Sequence, residues 1–180
     1  EKRLTHAPGV VAPPQEDIFV EHCEYRAGER APEWYCSPDI EGGIAAIGEA
    51  KSNAGNDSNF QRSEAMANAR DALARQMEVK VDNMFKNFAQ TTGGGDDATY
   101  DKATSNVSRQ VASETLKGSR QLKRWVAKDG TLVLLVGMSD STEVIDNIRS
   151  SLRNEKALWQ QFQAQKAQDE LDEYLEKNFK

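Results

Sequence analysis

Acid–base, thiol or metal chemistry in this chain would have to be built from few parts. It holds only two histidines and two cysteines: His6, His22, Cys23 and Cys36. Nucleophilic catalysis needs a base held against the nucleophile. Both histidines lie ahead of the periodic part of the sequence. A zinc site built on His22, Cys23 and Cys36 would lack a fourth ligand and the usual CxxC spacing. No catalytic residue, metal site or cofactor is therefore expected. Two acids merit inspection: Glu49, at the end of a short apolar run, and Asp129, in an Asp-Gly turn. Each also has a simpler reading, as a solvated acid and as a turn residue.

Cys23 and Cys36 bracket a short loop containing Gly28 and Pro32. Their even number and close spacing favour a disulfide and an oxidising compartment. The alternative is two independent buried thiols. Gly43 to Gly48 brushes against the phosphate-loop pattern, but Glu49 stands where the phosphate-binding Lys should be. A carboxylate there repels phosphate, which argues against a nucleotide site. The glycine run at 93–95 lacks a preceding strand and a basic residue, so it reads as a flexible loop.

The elements that must position these groups follow from periodicity. Residues 43–50 read as a buried strand. Met66, Ala69, Leu73, Met77, Val81, Met84 and Phe88 recur at spacings of three and four, the clearest helical stripe in the chain. Its methionines read as core filler rather than as a soft-metal surface. Ala103, Val107, Val111 and Thr115 step by four, giving a weaker helix with an edge strand as the alternative. Residues 119–127 and 131–138 read as strands joined by the Asp129-Gly130 hairpin. The second is apolar on both faces and so central. Trp125, Leu132, Leu134 and Val136 are expected in one core with Leu73 and Met77.

From Thr142 to Phe179 there is no Gly or Pro. One helix of that length would span roughly 55 Å, against about 20–25 Å for the sheet. The distal stripe, Trp159, Phe162, Leu171, Leu175 and Phe179, is therefore expected to contact a second copy or another protein. A break near Gln163–Gln168, folding the tail back, is the competing possibility. The expected organisation is an extended leader over 1–31, an α+β domain over 32–140 and a long C-terminal helix over 141–180. The fold class is α+β, with a helix packed on a small antiparallel sheet.

Across 180 residues, 29 acidic against 23 basic side chains give a net charge of -6. That argues against a general nucleic-acid binder, which needs a basic face to displace counterions. The mean hydropathy of -0.73 is low, and no stretch approaches the ~18–20 apolar residues that cross a bilayer.

Certain segments carry a family likeness. They are Pro32-Glu33-Trp34-Tyr35, the Ile47-Gly48-Glu49-Ala50 strand and the helix with Ala65, Ala69-Arg70 and Leu73-Ala74. Leu116-Lys117-Gly118, Trp125 and the run from Asp129 to Val136 complete the set. Together they resemble the envelope lipoproteins typified by the Helicobacter twenty-kilodalton antigen, a group that includes the flagellar lipoprotein FlgP. The resemblance covers roughly Pro32 to Met138. It implies a small α+β domain, secretion to the periplasm, outer-membrane association and frequent lipid anchoring, through a cysteine upstream of residue 1. With no acid–base pair or activated nucleophile legible in the sequence, the expected role is that of a non-enzymatic structural or assembly component, of a ring or disk around a flagellum or another envelope machine. A monomeric ligand-binding domain, with a pocket between the first helix and the sheet, is the alternative.

Overall fold

A computed structural model describes residues 17–92 and 98–179. In chain order the elements are β1 (Phe19–Arg26), β2 (Glu29–Pro32), α1 (Glu33–Cys36), β3 (Ile44–Ala50), α2 (Ser58–Thr92) and α3 (Ala98–Gly118). They continue with β4 (Arg120–Val126), β5 (Leu132–Met138), α4 (Ser141–Asn154), α5 (Lys156–Trp159), a 3-10 turn (Gln160–Phe162) and α6 (Gln165–Phe179). The fold is α+β with two small antiparallel sheets, β1-β2 and β3-β5-β4.

Side chains alternate between the two faces of a strand, and here each face has its own cover. All seven residues of β5 are buried, as its run of apolar residues on both faces requires. Leu132, Leu134 and Val136 pack with Ala50 of β3 and with Ala65 and Ala69 of α2. Val133 and Leu135 face the other way, onto Trp34, Ala45, Ile47, Leu122 and Trp125. The register pairs Trp125 with Val133, so Trp125 lies on the face opposite α2. Leu73 and Met77 join a different cluster, further along α2. The single core expected for these residues is thus three clusters, divided by strand alternation and by the length of α2.

The approach of α2 to the sheet is set by Gly48. A Cβ there would fall 2.2 Å from the Ala65 carbonyl oxygen and 2.2 Å from the Ala69 nitrogen. Helix backbone thus rests on strand backbone, and no ligand pocket lies between Gly48 and this part of α2. The helix begins where Asp57 accepts from the backbone N–H groups of Asn59 and Phe60 at 3.0 and 3.1 Å, satisfying donors that a helix start leaves unpaired.

With 35 residues, α2 runs about 52 Å, well past the sheet. Its distal part is the platform for a helical layer. Val81, Met84 and Phe85 meet Tyr100, Ala103, Val107 and Val111 of α3, and Val144, Ile145, Ile148 and Leu152 of α4. The stepping residues of α3 are all buried in a helix, which disposes of the edge-strand alternative. Two polar groups in this layer find local partners: Tyr100 Oη donates to the Phe85 carbonyl at 2.9 Å and Thr115 Oγ1 to the Val111 carbonyl at 2.8 Å. Ser108 hydrogen-bonds Asp82.

Two expectations need correction. Residues 19–31 of the expected leader form, with Pro32, the β1-β2 hairpin, because strand 19–26 has a buried anchor in Cys23 and a turn at Gly28 with φ +84°. Residues 1–16 lie outside the described ones, as do 93–97, where a flexible loop was expected. The continuous helix from Thr142 to Phe179 is broken twice. Glu155 is extended, at φ -106° and ψ 95°, and a second interruption falls at Gln163 and Ala164. Each break returns apolar residues to the platform, and the competing fold-back near Gln163–Gln168 is what the chain adopts.

Candidate functional site

The groups singled out for chemistry meet on the face of the sheet opposite α2. There the hairpin and α1 form a clamp. Cys23 and Cys36 are bonded, with their Cα atoms 5.8 Å apart, so β1 is tied to α1. Cys23 is fully buried while Cys36 is exposed. Trp34, the buried residue of α1, lies on Ala45, Val133 and Leu135. Its indole N–H donates to Asp17 at 3.2 Å, and Asp17 pairs with Lys123 of β4 at 3.5 Å.

Beside the disulfide stands an aromatic seam. Tyr25 meets Tyr35 and Trp125 edge-on, with centroids 5.7 Å apart in both pairs. Tyr35 and Trp125 are 6.2 Å apart. Such rings prefer edge contacts because each has a negative face and a positive rim. Arg26 lies over the Tyr25 ring at 5.2 Å, a cation held by that negative face.

Both acids serve this seam. Asp129 accepts from the Thr131 N–H at 2.9 Å, pairs with Arg26 at 3.2 Å and receives the Tyr25 hydroxyl at 3.4 Å. The backbone N–H of Thr131 is the main reason its carboxyl is held below the usual range. Nearby, the Lys128 N–H donates to Glu29 at 2.6 Å, so the hairpin tip and the β4-β5 turn are fastened together. Glu49 lies opposite Val133, on the sheet face that carries Tyr35 and Trp125. Burial first, and the neighbouring Glu49 carboxylate second, push Tyr35 up to about 12. Tyr25 and Arg26 were missed at sequence level, because residues 1–31 carry no long period to mark them.

His22 is exposed on β1, and His6 lies outside the described residues. Among the described residues, no group of three or more His, Cys, Asp or Glu is placed to hold a metal ion.

The five residues expected to meet a partner sit elsewhere. Phe162, Leu171, Leu175 and Phe179 are buried in the chain's own helical layer. Phe162 stacks on Phe88 at 4.2 Å and meets Phe85 edge-on at 6.1 Å. The distal half of α2 supplies the surface that the sheet was too short to offer, so these four are not a free contact face. Trp159 is half-buried and keeps a face toward a surface cavity between α4 and α6.

The family model described as LPP20 lipoprotein matches residues 32–139. That span takes in α1, the whole β3-β5-β4 sheet and the two long helices. It leaves β1, most of β2 and the α4–α6 tail outside. No curated protein matches the chain.

Proposed function

The chain belongs to the LPP20 lipoprotein family, a family of envelope lipoproteins, and we propose that it is a non-enzymatic structural or assembly component of the envelope. In this reading it works in the periplasm at the outer membrane, in contact with copies of itself or with other envelope proteins. A ring associated with the flagellum is the machine of this kind that the family resemblance points to. One observation carries the reading. Asp129, Cys23 and Cys36, among the groups with most chemical capacity, act as fasteners holding the clamp. A disulfide tying β1 to α1 suits an oxidising compartment.

With Phe162, Leu171, Leu175 and Phe179 turned inward, contacts fall to the outer surface. Ile18 and Phe19, at 65 % and 48 % exposed, head the hairpin. The edge strand β4 carries Arg120, Lys123 and Arg124, and cations on an edge discourage strand-to-strand aggregation. The test is sedimentation of the oxidised full chain, together with cross-linking from position 18 in intact envelopes. A defined oligomer, or a single cross-linked envelope protein, supports the reading. A monomer at high concentration with no specific cross-link overturns it.

A further inference from the structure

Between α4 and α6 lies a cavity of about 340 Å³ that neither the fold nor the proposed role uses. Leu152 and Leu171 form its apolar floor, and Trp159 stands at one side. Two guanidiniums line it from α4. Arg149 donates to Asp172 of α6 at 2.7 Å through one nitrogen, which leaves further N–H groups on the same fork. The Arg153 guanidinium lies over the Trp159 ring at 6.0 Å and makes no side-chain hydrogen bond or ion pair among the described residues. Gln168 adds a side-chain amide on the α6 side.

Arg149 and Arg153 against Asp172 leave one net positive charge in a chain of net charge -6. We propose that this cavity binds a small monoanionic carboxylate carried on an apolar body. The carboxylate takes the free N–H groups of Arg153 and Arg149, whose planar forks match two oxygens at once. The body lies against Trp159 above Leu152 and Leu171, where aromatic contact adds to burial. The volume falls at the lower end of the usual range for small-molecule sites. One negative charge balances the site. A second would face Asp172, with the exposed Asp146 and Asp169 on the same two helices. A cationic ligand would face two arginines.

The test uses the full oxidised chain and three probes: 3-phenylpropanoate, 3-phenylpropylamine and phenyl phosphate. Binding is read by calorimetry and by tryptophan fluorescence. The carboxylate is expected to bind at least tenfold more tightly than the amine and more tightly than the phosphate. Arg153→Gln, at an exposed position, is expected to weaken it at least tenfold with an unchanged thermal unfolding curve. Trp159→Phe is expected to keep heat of binding while losing the fluorescence change. Equal affinity for carboxylate and amine overturns the proposal, as does unchanged affinity in Arg153→Gln. Phenyl phosphate binding most tightly overturns the monoanion assignment. No heat up to about 10 mM carboxylate, beyond the millimolar range of weak specific binding, overturns the site itself. None of these results depends on the oligomeric state that tests the assembly role.

Discussion

Replacing Phe162 by alanine distinguishes a tail that completes this chain's core from one that awaits a partner. Phe162 is fully buried, and it touches α2 through both Phe85 and Phe88. Removing a buried phenylalanine costs about 3–5 kcal/mol. The two ring pairs account for roughly 0.5–1.5 kcal/mol each beyond area burial, within that total. Collapse of the surroundings is limited here, because Phe85 belongs to a helix pinned to the sheet at Gly48 and covered by α3. The upper half of the range is therefore expected. In a domain of this size each kcal/mol lowers the melting temperature by about 2–4 °C, so the loss should be roughly 8–20 °C.

Urea unfolding followed by both circular dichroism and tryptophan fluorescence gives the stability change. A shifted midpoint at unchanged slope identifies a stability effect rather than a change in the unfolded state. A loss under ~0.5 kcal/mol, of the size usual for surface positions, would place Phe162 outside the core and refute the docking of α5 and α6 on α2. Light scattering of the same variant supplies the converse. A partner-binding residue would lose association while keeping its melting temperature.

Three further predictions follow from the clamp and the helix seat. Cys36→Ser should lower stability by about 3 kcal/mol, and reductant should shift the wild type but not the variant; two free thiols in protein from an oxidising compartment would refute the pairing. Gly48→Ala places a methyl against the backbone of α2 and should destabilise by about 1–3 kcal/mol; a neutral result in urea unfolding would refute the close approach. Tyr35, pushed up to about 12, keeps its proton in the folded chain after an unfolded tyrosine has lost it. The unfolded state then binds fewer protons, so stability falls as pH rises from about 10 to about 12. The ultraviolet difference between wild type and Tyr35→Phe should titrate in that upper range; a midpoint near 10 would show that Tyr35 is neither buried nor beside a negative charge.

Patterning was most informative where one period ran long enough to fix a face. The stripe from Ala69 to Met84 is buried, and the run Leu132–Met138 is the central strand. Asp129-Gly130 forms the hairpin turn, with Gly130 at φ +87°. The Cys23–Cys36 pair was favoured by the even number and close spacing of the cysteines, and the bonded alternative is the one the chain adopts. The aromatic seam was not. Tyr25, Tyr35 and Trp125 come from three separate elements and meet only because the hairpin folds across the sheet. Trp125 was assigned to the wrong face through neglect of its alternation with Val126, which is 47 % exposed.

The tail shows why a stripe identifies a buried face without naming the surface that buries it. Trp159, Phe162, Leu171, Leu175 and Phe179 recur as a packed helix requires, and comparing one straight helix with one small sheet leaves them no home in the same chain. That comparison omits α2, whose 35 residues outrun the strands beneath it by more than half their length. A helix that overhangs its sheet exposes an apolar end, and the nearest apolar segments in sequence are those that follow β5. Glu155 and the Gln163–Ala164 interruption let them turn back onto it. The same turn leaves Arg149 and Arg153 facing α6 across Trp159. The cavity is thus a consequence of the fold-back, and a chain ending at Asn154 would lose both the cover of α2 and the site.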